Sequence, residues 1–221
     1  MKEKLHWISG SPNAWRVMLF MAIKNIEYES IRIEPKSWDR DTSGFYDLNP
    51  RGKVPLLEDG DNVVYESLAI MSYLEAKYPE SPLFGIGHIQ SGLVWQRIAE
   101  LVHYAIEPMY LLSRSLMRGQ ALEKVSESNE TAQTISLELA SIESWLTNCP
   151  YFAGESLTAA DIYFYPAIAF LKRISYMKAN DALDFVYLPL EEKFPKLDSW
   201  MKRIEEISVF DKTIPPHWKG E

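Results

Sequence analysis

Three short segments place residues of chemical interest where one structural element is expected to give way to another. Ser11-Pro12 puts a hydroxyl at a helix N-cap and a proline at the first helical position. Glu66-Ser67 lies between a strand-like run and a helical one, and Val54-Pro55 opens a strand, where proline is tolerated and a cis bond is an option. The free N–H groups and the macrodipole at a helix N-terminus favour a bound carboxylate at Glu66-Ser67, with ordinary helix capping as the alternative. Ser11-Pro12 by itself indicates a helix start.

The other reactive groups form no recognisable catalytic or metal-binding pattern. The four histidines, His6, His88, His103 and His217, lie far apart and have no metal-ligand spacing, so we expect no metal site. Cys149 is the single cysteine, which excludes an internal disulfide, and we interpret it as structural. The net charge of −8 and the absence of basic runs longer than two residues argue against a nucleic-acid partner.

The elements that must position these segments can be predicted from the apolar pattern. Four runs in the first 80 residues have strand character: 4–8, 28–33, 54–58 and 63–65. Asp59-Gly60 between the last two predicts a hairpin. Helical spacing follows Pro12 and recurs from Leu68 to Tyr78, just before Pro79. The predicted order is therefore β-α-β followed by β-β-α.

Beyond Pro82 the apolar residues keep a helical period, and strand signals become scarce. Pro108 and Pro166 lie inside helical patterns, so we expect them to bend or interrupt those helices. Thr158 and Asp161 have the spacing of a capping box at the start of a buried helix. We predict a first domain at residues 1–80, a linker at 81–86 and an all-helical domain at 87–221.

In their order along the chain, these segments resemble the cytosolic glutathione transferases of the serine type. The resemblance is carried by Ser11-Pro12, by residues 49–57 (Asn-Pro-Arg-Gly-Lys-Val-Pro-Leu-Leu), by residues 66–70 (Glu-Ser-Leu-Ala-Ile) and by the Thr158 to Asp161 box. It covers essentially the whole chain. It implies a thioredoxin-like α/β N-terminal domain (βαβ-ββα), an all-α C-terminal domain, and glutathione as a cosubstrate that is used without a metal.

The resemblance assigns the catalytic role to Ser11, whose hydroxyl would donate a hydrogen bond to the glutathione sulfur. A thiol of pKa about 8.5 is only about 3% thiolate at pH 7, and the thiolate is the reacting form. Lowering that pKa by about 2 units takes roughly 2.7 kcal/mol. A hydrogen bond to a charged acceptor supplies about 1.5–3 kcal/mol and a helix N-terminus about 0.3–1, so no general base is needed.

The remainder of glutathione would be held by six residues. Glu66-Ser67 matches the pair that binds the γ-glutamyl end, and Val54-Pro55, with a cis bond, matches the strand segment that pairs with the cysteinyl backbone. Lys53 and Arg40 match basic positions near the glycine carboxylate. For Arg40 an ordinary solvated surface side chain is the alternative.

A second substrate, a small hydrophobic electrophile, is implied by the same resemblance. His103, Glu107 and Tyr110 have the i, i+4 and i+7 spacing that places side chains on one face of an α-helix, and Trp218 would close the pocket from the C-terminal tail. Ordinary packing is the alternative for each of these four residues.

The subgroup is less clearly marked than the family. Trp15-Arg16-Val17 is similar to the zeta type, the maleylacetoacetate isomerases, which have Ser-Ser-Cys where this chain has Ser11-Pro12-Asn13. Ser-Pro and Glu-Ser look more like the phi, tau and theta types, and serine rather than cysteine at position 11 disfavours thiol transfer. A zeta-like isomerase and a non-catalytic ligand-binding or assembly module with the same fold are the alternatives to conjugation.

Assembly and location are also expectations from the sequence. The longest apolar run, residues 17–23, is much shorter than the roughly 20 residues that a bilayer crossing requires. We expect a soluble, cytoplasmic protein with no membrane partner. The resemblance further implies a detoxification enzyme that forms a homodimer.

Overall fold

A four-stranded mixed sheet organises the first part of the chain in the computed structural model, which describes residues 2–34 and 44–219. Its strands are β1 (Glu3–Trp7), β2 (Tyr28–Arg32), β3 (Leu56–Asp59) and β4 (Asn62–Tyr65). They lie in the order β2-β1-β3-β4, with β2 parallel to β1 and the other neighbours antiparallel. The central strands bury Leu5, Leu56 and Leu57 completely, whereas β2 forms a largely exposed edge.

Among the described residues of this part, three helices accompany the sheet: α1 (Pro12–Ile23), α2 (Phe45–Leu48) and α3 (Ser67–Lys77). Helix α1 connects the parallel strands β1 and β2, as a crossover must. The predicted order β-α-β and then β-β-α is confirmed. The sequence did not predict α2, because a four-residue helix is too short to show a period. Helix α3 ends at Lys77, since Pro79 disfavours helical backbone at Tyr78.

The rest of the described chain is helical. Its α-helices are α4 (Gly87–Glu100), α5 (Glu107–Met117), α6 (Val125–Trp145), α7 (Ala159–Met177), α8 (Leu190–Lys193) and α9 (Pro195–Glu205). A π-helical segment, Leu101–Ile106, joins α4 to α5. Short 3₁₀ turns span Gln120–Leu122, Phe210–Lys212 and Pro216–Trp218.

The two helical prolines behave differently. Pro108 lies in the first turn of α5, where its missing N–H costs no helical hydrogen bond. The interruption expected there takes the form of a change from π-helix to α-helix. At Pro166, where a bend or an interruption was expected, α7 continues without interruption. Fourteen of the 19 residues of α7 are buried, so packing around the helix outweighs the lost hydrogen bond.

The predicted capping box at the start of α7 is confirmed and extends beyond the helix itself. Asp161 is fully buried, and its carboxylate accepts hydrogen bonds from the N–H and the hydroxyl of Thr158, from the N–H of Phe152 and from the indole of Trp200. Burial raises the pKa of Asp161, and the four hydrogen bonds act in the opposite direction. The same carboxylate therefore joins the start of α7 to α9.

The chain divides into two units, Met1–Pro82 with Ser208–Glu221, and Leu83–Ile207. The sequence had assigned the last residues to the helical domain, and this assignment is corrected by the structure. The reason is the side chain of Trp15 in α1, whose indole contacts Thr213, Phe210 and Trp218. Contacts between residues about 200 positions apart leave no periodic signal in the sequence.

Two observations concern membranes and metals. None of the helices within residues 2–34 and 44–219 combines the length and the apolar character that a bilayer crossing requires. Within the same ranges, no group of three or more His, Cys, Asp or Glu side chains is arranged to hold a metal ion.

Candidate functional site

Ser11 caps the N-terminus of α1, as the sequence predicts. Its backbone is extended, with φ −75° and ψ 113°, and its Oγ accepts a hydrogen bond from the N–H of Ala14 at 3.3 Å. Pro12 occupies the first helical position. Because the hydroxyl acts as an acceptor in this cap, its own hydrogen can still be donated to a ligand. Ser11 can therefore cap the helix and also bind an anion beside the helix terminus.

A small cavity of about 10 Å³ lies beside Ser11. Gly10, Ser11 and Trp15 line it from the start of α1, and Thr213 and Pro215 line it from the C-terminal residues. All of these residues belong to the first unit. The lining of this cavity is largely apolar, since it also includes Trp7, Ile8 and Met18. An apolar environment strengthens a hydrogen bond to a charged acceptor.

Glu66 and Ser67 lie at the junction of β4 and α3. Glu66 has φ 68° and ψ 118°, a backbone conformation that costs a non-glycine residue about 1–3 kcal/mol. Although Glu66 is the N-cap of α3, its side chain makes no capping hydrogen bond. The capping alternative therefore does not account for this side chain. Strain of this kind concentrates at functional sites, where the surrounding structure holds it in place.

Ser67 is buried and receives a hydrogen bond from Arg16, which the sequence analysis named only as part of the zeta-type similarity and not as a site residue. The Nη1 of Arg16 donates to the Oγ of Ser67 at 3.4 Å, and Arg16 is only 1% exposed. A guanidinium behind the N-terminus of α3 adds positive charge where the macrodipole already favours an anion. The available signal was a charged residue inside the apolar pattern of α1.

A charged pair extends this junction towards solvent. The Nε of Arg51 lies 3.9 Å from the Oε1 of Glu66, and both side chains are more than half exposed. Such a pair contributes little stability by itself. It leaves the carboxylate of Glu66 accessible to a positively charged group of a ligand.

The loop before β3 is held rigidly by Asn49. Its buried side chain donates to the carbonyl of Lys53 at 2.7 Å and accepts from the N–H of Arg51 at 3.0 Å. Gly52 has φ +57°, and an added Cβ would approach the Tyr46 ring to 2.6 Å, so only glycine fits there. This loop leads directly into Val54.

The peptide bond between Val54 and Pro55 is cis, as the resemblance implied. The first residue of β3 is Leu56, so the main chain of Val54 lies just ahead of the paired ladder. Lys53 is exposed next to it. Arg40, the other basic residue expected near glutathione, lies outside the described residues.

The four expected second-substrate residues are divided between the units. His103 is exposed in the π-helical segment, Glu107 is exposed at the start of α5, and Tyr110 is half-buried in α5. Their expected common face assumed 3.6 residues per turn, and the π segment between α4 and α5 breaks that period. Trp218 belongs to the first unit, where its ring meets Trp15 edge to face at 5.1 Å.

Comparison with known proteins gives one family for both units. Residues 10–77 match the family model described as glutathione S-transferase, N-terminal domain, and residues 101–207 match the glutathione S-transferase, C-terminal domain. The two matches contain the candidate residues on α1, on the Val54 loop, on α3 and on α5.

Individual relatives agree with this result. Glutathione S-transferase Z2 of Arabidopsis thaliana is 28% identical over 97% of this chain and 91% of its own length. Glutathione S-transferase 1 of Dianthus caryophyllus is 30% identical over 76% of each chain. The crystal structure of a glutathione S-transferase from the Antarctic clam Laternula elliptica superimposes with a TM-score of 0.81 at 29% identity, covering 100% of this chain and 95% of that one.

Proposed function

Because the chain belongs to the glutathione S-transferase family, we propose that it activates glutathione as a thiolate at Ser11 and joins the sulfur to a small apolar electrophile. The protein is an enzyme of that family, and glutathione is its cosubstrate. One observation carries the proposal: the Ser11 hydroxyl, with its hydrogen still available, lies at the N-terminus of α1.

The chemistry follows from this placement. The thiol proton leaves to solvent, and the Ser11 hydroxyl donates to the resulting thiolate while the helix terminus adds its positive potential. The sulfur then forms a bond to the electrophilic carbon, either by displacing a leaving group or by adding to a double bond. Ser11 is not a nucleophile in this scheme, and no covalent enzyme intermediate is formed.

Binding of glutathione would use the residues around α3. The N–H groups at the start of α3 and the hydroxyl of Ser67, backed by Arg16, suit the γ-glutamyl carboxylate. The exposed carboxylate of Glu66 would accept a hydrogen bond from the neighbouring α-ammonium group. The unpaired position of Val54 ahead of β3 suits main-chain pairing with the cysteinyl residue. Lys53 and Arg40 are proposed for the glycine carboxylate.

The second-substrate assignment stays a proposal for His103, Glu107, Tyr110 and Trp218. All four are accessible or half-buried, which a substrate contact requires. A homodimer and a cytoplasmic location are likewise proposed from the family.

A zeta-like isomerase is the second candidate function. Two relatives from Arabidopsis thaliana named glutathione S-transferases Z1 and Z2 match 97% of this chain, and Trp15-Arg16-Val17 is similar to that type. The residues Ser11-Pro12-Asn13 in place of Ser-Ser-Cys favour conjugation.

The discriminating experiment has two steps. The protein should be retained on immobilised glutathione and released by free glutathione. It is then assayed against a panel of aryl halides, epoxides and unsaturated carbonyls, and in parallel for glutathione-dependent cis-trans isomerisation of maleylacetoacetate. Conjugation in the absence of isomerisation supports the proposal. Isomerisation as the main activity, or failure to bind glutathione, contradicts it.

A further inference from the structure

The C-terminal tail, defined here as residues 208–219, contacts the turn that carries Ser11. The indole Nε1 of Trp15 donates to the Oγ1 of Thr213 at 3.0 Å, and both residues are buried. The same ring packs against Phe210 at 6.0 Å and Trp218 at 5.1 Å between centroids. Trp15 is thus the anchor of the tail on α1.

Thr213 links this anchor to the backbone of the tail. Its Oγ1 accepts from Trp15 and donates to the carbonyl of Phe210 at 2.8 Å. Trp15 itself donates its main-chain N–H to the carbonyl of Ser11 at 2.9 Å, one helical turn earlier. Trp15 therefore links the tail to the main chain of Ser11, through one hydrogen bond from its indole and one from its main-chain N–H.

The tail also contacts the residues just before Ser11. The Nδ1 of His217 lies 2.8 Å from the Oγ of Ser9. Gly10 has φ +85°, and a Cβ added there would lie 2.6 Å from the Cε1 of His217, so the imidazole covers the glycine backbone. The tail therefore contacts the chain on both sides of Ser11 in sequence, at Ser9 and Gly10 before it and at Trp15 after it.

We propose that Thr213 is a positioning residue for the Ser11 hydroxyl. This inference rests on the proposed role of Ser11 in stabilising the glutathione thiolate. The Oγ of Ser11 has to accept a hydrogen bond from the N–H of Ala14 and at the same time donate one to the glutathione sulfur. Because hydrogen bonds weaken steeply at poor angles, the orientation of this hydroxyl matters. Gly10 gives the preceding turn conformational freedom, which the tail removes. Thr213 and Pro215 also limit the water that can compete for the sulfur.

The test compares Thr213→Val with Thr213→Ser. Valine keeps the shape but removes both hydrogen bonds, whereas serine keeps the hydroxyl. The readout is the pH dependence of the thiolate absorbance of enzyme-bound glutathione. Thr213→Val should raise the pKa of the bound thiol by about 0.5–1 unit, which is a roughly 3- to 10-fold loss of thiolate. Thr213→Ser should behave like the wild type, and the KM for glutathione should stay within about 2-fold in both variants.

A matched control separates positioning from stability. Ser175 and Tyr187 form a buried hydroxyl pair at 2.8 Å in the second unit, so Ser175→Ala also loses a buried hydrogen bond. It should lower the melting temperature without changing the thiol pKa. An unchanged thiol pKa in Thr213→Val overturns the inference, whatever happens to its melting temperature. A shift of the thiol pKa in Ser175→Ala as large as the shift in Thr213→Val also overturns the inference.

Failure of this inference can be distinguished from failure of the proposed function. If Ser11→Ala leaves the thiol pKa unchanged, Ser11 does not stabilise the thiolate, and Thr213 has nothing to position. If Ser11→Ala raises it and Thr213→Val does not, only the role of Thr213 is wrong. His217→Ala provides a second test of the tail's positioning role. Loss of the contact between His217 and Ser9 should raise the thiol pKa, as Thr213→Val should.

Discussion

Ser11 and Ser67 each stand at the start of a helix, but their hydroxyls are used differently. The Oγ of Ser11 accepts a main-chain N–H of its own helix, as an ordinary cap does. The Oγ of Ser67 instead accepts from the guanidinium of Arg16, and the strained Glu66 before it makes no side-chain cap. Capping alone therefore explains part of the role of Ser11 and little of the roles of Glu66 and Ser67.

The first prediction concerns glutathione affinity at this junction. Ser67→Ala and Glu66→Gln should each weaken binding by about 1–3 kcal/mol, because each removes one hydrogen bond to a charged group of the ligand. Turnover at saturating glutathione should change less. Titration calorimetry measures the affinity. Ser126→Ala is the control, since Ser126 also lies in the first turn of a helix, α6, but at an exposed position where its hydroxyl donates to Glu130. Wild-type affinity in both junction variants would show that this is not the γ-glutamyl site.

The sequence predicted the candidate residues whose signals are local. Ser11 as the N-cap with Pro12 at the first helical position was predicted from neighbouring residues alone. The cis Val54-Pro55 bond was implied by the family resemblance, which also rests on short local segments. Arg16 and Thr213 were missed, because their partners lie 51 and 198 positions away in the chain. Such partners become apparent only when the fold is known.

At the scale of elements, Asp161 shows how one carboxylate can hold several segments together. It closes the capping box of α7 with Thr158 and also accepts from Phe152 and from Trp200 of α9. The rings of Phe152 and Trp200 stack with centroids 4.4 Å apart. The box was predictable from its three-residue spacing, but its link to α9 was not.

The second prediction is that Asp161 matters for folding and not for chemistry. Asp161→Ala should lower the free energy of unfolding by about 2–4 kcal/mol, because it leaves several buried donors without a partner. Glu127→Ala, in the exposed first turn of α6, should change it by less than about 0.5 kcal/mol. Chemical denaturation provides the comparison. A variant of unchanged stability that has lost turnover would refute the structural assignment.

An ion-pair network attaches the end of α3 to the sheet. Lys77 contacts both Asp59 and the buried Glu3, and Tyr73 donates to Asp59 at 2.6 Å. The hydrogen bonds from Lys77 and Tyr73 lower the pKa of Asp59 below its ordinary value of 3.8. Burial acts to raise the pKa of Glu3, but hydrogen bonds from Lys77 and Tyr78 leave it lowered overall.

The third prediction follows from the sign of these shifts. A carboxyl group whose folded-state pKa is lowered stabilises the fold above its unfolded-state pKa and loses that contribution as the pH falls through the folded-state value. The stability difference between wild type and Asp59→Asn should therefore be largest near neutral pH and shrink below pH 3.8. Asp61→Asn, at an exposed position of the same hairpin, is the control. A difference that grows on acidification would contradict the network's role.

At the scale of the whole molecule, the division into units was only partly predictable. The change from an α/β pattern to helices marks the region near Pro82 in both sequence and structure. The return of residues 208–219 to the first unit was not predictable, because it depends on the side chain of Trp15. The π segment, Leu101–Ile106, was also not predictable, because the apolar pattern was interpreted with the α-helical period.

The fourth prediction concerns assembly. The family implies a two-fold dimer with an isologous interface, and several large apolar side chains are exposed in this chain, among them Ile86, Ile89 and Leu111. Sedimentation at micromolar concentration should give twice the mass of the 25.5 kDa chain. A wild-type protein that sediments as a single chain would exclude the dimer.

The central claim, that Ser11 stabilises the glutathione thiolate, is tested most directly by the pKa of the enzyme-bound thiol. Thiolate absorbance is measured against pH for the wild type, for Ser11→Ala and for Ser126→Ala as a remote control. The wild type and the control should titrate about 2 units below the ordinary thiol value of about 8.5, and Ser11→Ala should return most of the way towards it. A bound-thiol pKa that is the same in Ser11→Ala as in the wild type would contradict the account.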